Sequence, residues 1–88
     1  MSSLIKSVQN CIKRIDFEIS LINKEIQSVG KDVDRDLAII AAGLSYPPES
    51  LPDLSPYRER LITLKKSLLG QAKSKLTDIR DRLTFALE

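Results

Sequence analysis

The sequence predicts an all-α fold, an antiparallel two-helix coiled-coil hairpin that completes a four-helix bundle by dimerisation. Three observations predict it. Met1, Ile5, Val8, Ile12, Ile15, Ile19, Ile22, Ile26, Val29 and Val33 recur at spacings of four and three; three of the four prolines crowd into residues 45–55; and a second apolar stripe resumes beyond them. With Ile5 at position a and Val8 at position d, the first stripe has an average period of 3.5 residues, the repeat of a left-handed coiled-coil seam. The 88 residues are enough for one small domain with a single core. The expected layout is one helical-hairpin domain over 1–88, with helices over about 3–43 and 56–87 and a corner over about 45–55.

The first helix can be capped by Ser2 or Ser3. Its seam continues past Val33 through Leu37, Ile40 and Leu44, but Val29 to Val33 to Leu37 is two successive steps of four, which locally unwinds the supercoil. Gly43 offers a C-terminal cap, and Tyr46-Pro47-Pro48 blocks continuation. Cys11, at position g, reads as a small buried apolar residue, and as the only cysteine it can form no intrachain disulfide. The run Leu37 to Ala42, apolar all round, reads as buried.

The corner, 45–55, has no helical stripe. Ser55-Pro56 then supplies an N-cap followed by proline at the first helical position, where the missing N–H costs nothing. The second stripe is Tyr57, Leu61, Leu64, Leu68, Ala72, Leu76, Ile79, Leu83 and Ala86, with Ile62, Leu69 and Leu87 widening it. Folding the chain about residue 50 sets Gly30 opposite Gly70, read as tolerated surface glycines in preference to a close helix crossing, and leaves about the first eleven residues overhanging. A two-helix hairpin covers only one side of each stripe, and isoleucine at both a and d favours three or four helices over two. The expected partner is a second copy, another helical protein, or both, joined through a seam of the ten residues above with Leu61, Leu64, Leu68, Leu76, Ile79 and Leu83.

Phe17 and Leu21 lie off that seam at positions f and c, with Phe85 near their level after fold-back. They read as a widened core in preference to a second partner face. Helix 1 carries six basic and six acidic residues, whereas helix 2 carries eight basic and four acidic ones. Lys65, Lys66, Lys73, Lys75, Arg80 and Arg82 are therefore the candidate anion-binding face. No aromatic residue is interleaved among them before Phe85, and no glycine-rich phosphate loop is present, so nucleic acid is not the favoured partner.

The chain contains no histidine, the commonest acid-base group and metal ligand. Asp32, Asp34 and Asp36 alternate around a helix instead of converging. No catalytic residue, cofactor or metal is therefore expected. The longest uncharged apolar stretch, Leu37 to Leu44, is far short of the roughly 20 residues of a membrane span. Charge also appears by Lys6, which argues against a signal peptide, and a cytoplasmic location is expected. The functional expectation is a non-enzymatic protein–protein interaction module: a scaffold, assembly or adaptor subunit. The alternatives are a small chaperone for a helical secreted or filament-forming client, and a dimeric RNA- or DNA-binding regulator using the basic face of helix 2.

Overall fold

A computed structural model describes residues 2–44 and 53–88, with the side chains of Ser2 and Leu44 left out. Met1 and most of the corner, including Tyr46-Pro47-Pro48, lie outside the described residues. Two helices, α1 (Ser2–Leu44) and α2 (Ser55–Leu87), pack antiparallel as an all-α helical hairpin with no strand among the described residues. At about 1.5 Å per residue the 43 residues of α1 span roughly 64 Å, and the molecule measures 67 × 19 × 15 Å. The longer helix sets the length of the protein.

Helix α1 runs one residue past Gly43, which lies inside its last turn instead of capping it. At the start of α2 the capping differs from the expected serine cap. Ser55 is the first helical residue, Leu54 occupies the cap position, and no side chain caps the helix from there. The Asp53 carboxylate instead accepts the Ser55 backbone N–H at 3.0 Å, and Tyr57 N–H donates to the Leu54 carbonyl at 3.0 Å. Hydrogen bonds from Ser55 hold the Asp53 carboxyl below its ordinary range. Pro56 sits in the first turn, as its missing donor requires.

Three ion pairs fix the register. Arg58 grips Asp34 with Nε at 2.6 Å and Nη2 at 3.2 Å from the two carboxylate oxygens, Lys65 reaches Asp36 at 3.2 Å, and Arg80 reaches Asp16 at 3.1 Å. Residue i thus lies level with about 96 minus i. This departs from the fold about residue 50, and two consequences follow. Gly30 is level with Lys66 and not with Gly70; a Cβ on Gly30 would meet only the Arg58 side chain at 3.7 Å, and one on Gly70 nothing within 4 Å. Both glycines leave open space, so no close crossing exists at either. The chain's last residues also reach the level of Val8, which is half-buried, so the overhang is shorter than eleven residues.

The core lies towards the corner. Val29 (2% exposed), Val33 (1%) and Ile62 (9%) form its buried centre, with Leu37, Leu61 and Leu69 packed around them. Towards the termini Ile19 is the only other buried side chain among those described. Ile12, Ile15, Ile22 and Ile26 are half-buried along the same seam, while Ile5 is 46% exposed in the overhang.

A candidate interaction face on α2

The two helices use their apolar stripes differently. On α1 the residues turned towards α2 are those of the stripe read from the sequence. On α2 the side chains turned towards α1 are Arg58, Ile62, Lys65, Leu69, Lys73, Leu76, Arg80 and Leu83, all buried or half-buried. Six of these stand one residue after a member of the apolar stripe: Tyr57, Leu61, Leu64, Leu68, Ala72 and Ile79. One residue is about 100° of helix rotation, so most of the α2 stripe is turned a quarter of a circle away from α1. Tyr57 is 52% exposed, Leu64 55%, Leu68 56% and Ile79 47%. Leu61 sits at the boundary, half-buried, while Leu76 and Leu83 are stripe members that remain on the α1 side.

The cause of the rotation is visible in the doubled apolar positions and in the charges. Leu61 with Ile62 and Leu68 with Leu69 make the apolar surface of α2 wide enough for two orientations. The one adopted also puts Arg58, Lys65 and Arg80 within reach of Asp34, Asp36 and Asp16. The forked contact from Arg58 holds the Asp34 carboxyl below its ordinary range and raises the arginine; Arg80 is raised by hydrogen bonds to Asp16 and Asp81. These pairs are largely solvent-exposed, so they choose between orientations of similar apolar burial more than they hold the helices together.

The hairpin therefore has two unlike broad sides. Arg58–Asp34 and Arg80–Asp16 close one side. On the other, Val29 and Leu69 with Leu68, Glu25, Asp32 and Lys65 line an apolar cleft of about 290 Å³. A second cleft of about 290 Å³ lies nearer the corner between Leu37, Ile40, Leu54, Tyr57, Arg60 and Leu61. Together with Leu64 and Ile79 these make an apolar surface running along α2.

The other residues singled out in the sequence are placed as follows. Lys65, Lys73 and Arg80 lie half-buried along the α1 contact, whereas Lys75 and Arg82 are exposed beyond the apolar stripe, and Lys66 lies on the opposite flank. The six cations do not form one face. Lys65, Arg80 and Arg82 are also engaged by Asp36, by Asp16 and Asp81, and by Asp78. Asp32, Asp34 and Asp36 turn to Ser28 and Arg35, to Arg58, and to Lys65 and Arg35. Phe17 (63% exposed) and Leu21 (36%) are on the surface of α1 instead of in a widened core, and Phe85 (78%) is level with Cys11, about 9 Å along the axis from Phe17. Cys11 itself is exposed and not buried beside the seam. Ile39 (63%) and Ile40 (49%) are exposed too, so the apolar run of α1 is covered only on the side of Leu37.

The signal that could have located the exposed stripe is the position of the acids on α1, which the hydrophobic period ignores. Among the described residues no helix is long and apolar enough to cross a membrane. No family model, no curated protein and no solved structure matches the chain.

Proposed function

We propose that this chain is a non-enzymatic protein–protein interaction module, a scaffold, assembly or adaptor subunit that associates with helices through the exposed apolar face of α2 and the clefts beside it. The observation that carries the reading is the set Tyr57, Leu64, Leu68 and Ile79, each about half exposed at helical spacing on one face of an otherwise regular hairpin. Single exposed leucines are ordinary on protein surfaces, but a contiguous apolar stripe marks an association site. Helix-in-groove recognition reads such a stripe at steps of three and four. A second copy and a different helical protein both present the required surface. A cytoplasmic setting belongs to the same proposal, supported by the single free cysteine.

A second reading, a chaperone for a helical client, is favoured by Phe17 and Leu21, one turn apart and exposed on α1 away from the α2 contact. Phosphate binding has weaker support, because the cations of α2 are dispersed around the helix and half of them are engaged by acids.

The test is affinity capture with the purified chain as bait in nuclease-treated extract of its source. The bait retains a defined protein partner, a second copy included. Leu64→Lys with Leu68→Lys loses that partner, and Phe17→Ser with Leu21→Ser keeps it. Retention by the α2 variant and loss by the α1 variant would support the client reading, and capture that occurs only in a parallel extract left untreated with nuclease would support the nucleic-acid reading.

A further inference from the structure

Resting on the module reading, we infer that the occupant of the open side is a second copy of this chain, stacked so that α1 of each copy lies over α2 of the other and both corners lie at the same end of the bundle. Area argues for an occupant of this size. The chain exposes 6935 Å², whereas a compact monomer of 9.9 kDa exposes roughly 5200 Å². The excess is about twice the ~800 Å² that each partner buries in a standard interface.

Charge argues for the copy and for its orientation. The α1 edge of the open side is acidic from 18 to 32, with Arg14 one turn before it: Glu25 and Asp32 border the cleft next to Leu68, and Glu18 lies seven residues, two turns, before Glu25. The α2 edge is basic from 60 to 75: Arg60 borders both Tyr57 and Leu64, and Lys75 lies two turns beyond Leu68, while further on Arg82 is paired with Asp78. Glu18, Glu25, Arg60 and Lys75 form no ion pair within the chain among the described residues. One molecule thus carries both halves of a complementary pair along one face.

A two-fold axis parallel to the helices, in the interface plane, sets the acidic α1 edge of each copy on the basic α2 edge of the other. It also preserves level. Lys75 is level with residue 21, within a turn of both Glu18 and Glu25 of the second copy, and Arg60 is level with Asp36 and a turn from Asp32. The alternative axis, across the helices, places α1 over α1 and α2 over α2, bringing acids onto acids and bases onto bases along these edges. Like-charge contact of that kind selects against an arrangement even where apolar burial is equal.

The experiment combines mass and distance. Light scattering of the full chain over a concentration series gives the mass, and pulsed electron paramagnetic resonance of Lys6→Cys labelled with nitroxide, in a Cys11→Ala background, gives the distance between copies. Lys6 is exposed in the overhang, clear of the α2 stripe. A dimer with labels within about 30 Å is expected, because both overhangs lie at one end and diagonal helices are separated by little more than one interaxial spacing. Corners at opposite ends would separate the labels by roughly 50 Å or more and overturn the orientation. A folded monomer at every concentration would overturn the second copy as occupant, while capture of a different protein that Leu64→Lys with Leu68→Lys abolishes would leave the module reading standing. Reversing one edge by Glu18→Lys with Glu25→Lys is expected to weaken the dimer about tenfold or more. Mixing that chain with one carrying Arg60→Glu and Lys75→Glu restores it; no weakening would overturn the charge assignment.

Discussion

Helices α1 and α2 carry apolar stripes of similar length, yet α1 turns its stripe towards its neighbour from Val8 to Leu37, whereas α2 turns most of its stripe away. On α1 the seam is narrow, beta-branched and flanked by acids, so one orientation buries Val29 and Val33 and no other does as well. On α2 the apolar surface is broad, and neighbouring positions such as Leu61 and Ile62 compete for the contact. There the acids of α1 decide, drawing in Arg58, Lys65 and Arg80 and rotating the leucines outwards. A hydrophobic period fixes a helix face only where the stripe is narrow; where it is wide, weak exposed ion pairs are enough to choose among orientations. The residue of that choice on α2 is an exposed apolar stripe through Tyr57, Leu64, Leu68 and Ile79.

The comparison breaks most severely at Val33. Val33→Asp places an uncompensated charge at a site 1% exposed and is expected to cost about 3 kcal/mol or more, unfolding the hairpin as seen by far-ultraviolet circular dichroism. Next in size is a contrast within α2. Ile62→Ala is expected to lower stability by about 2 kcal/mol at every protein concentration. Leu64→Ala instead has an effect that grows with concentration and vanishes in the monomer, because its side chain stabilises only the association. Equal, concentration-independent losses would show that α2 presents both residues to α1.

The hairpin, both helices and the α1 seam were legible in the sequence, since the isoleucines at a and d make one stripe of α1 far more apolar than any other face. The start of α2 was legible from Ser55-Pro56, although Leu54 and not Ser55 takes the cap position. The register was legible only to within about a turn, because folding about the middle of a loop ignores which charges meet, and Arg58–Asp34, Lys65–Asp36 and Arg80–Asp16 together set the offset. The contact side of α2 was not legible for the same reason. Cys11 was read as covered from its heptad position and Phe17 from its level with Phe85 after fold-back, whereas a bundle of two helices has too little surface to cover them.

Smaller effects sharpen the account. Gly70→Ala and Gly30→Ala are each expected to stabilise by about 0.5–1 kcal/mol, because both sites are helical with room for a Cβ. Destabilisation at either would reveal a close approach there. The smallest effect is pH-dependent. Asp34 has its carboxyl value lowered by Arg58, so its contribution is present above the unfolded value near 3.8 and is lost as pH falls through the lower folded value. Arg58→Gln is therefore expected to lower Tm slightly at neutral pH, with the difference from wild type shrinking in acid below that point.

The claim that α2 meets α1 one residue off its apolar stripe is tested most directly by methyl–methyl nuclear Overhauser spectroscopy on Ile, Leu and Val methyls, with isotope-filtered mixtures separating contacts within a chain from those between chains. Intrachain contacts from Val33 to Ile62 and from Val29 to Leu69, with none from Val33 to Leu64, are the predicted result. Intrachain contacts from Val33 to Leu64, with Ile62 free of α1, would contradict it.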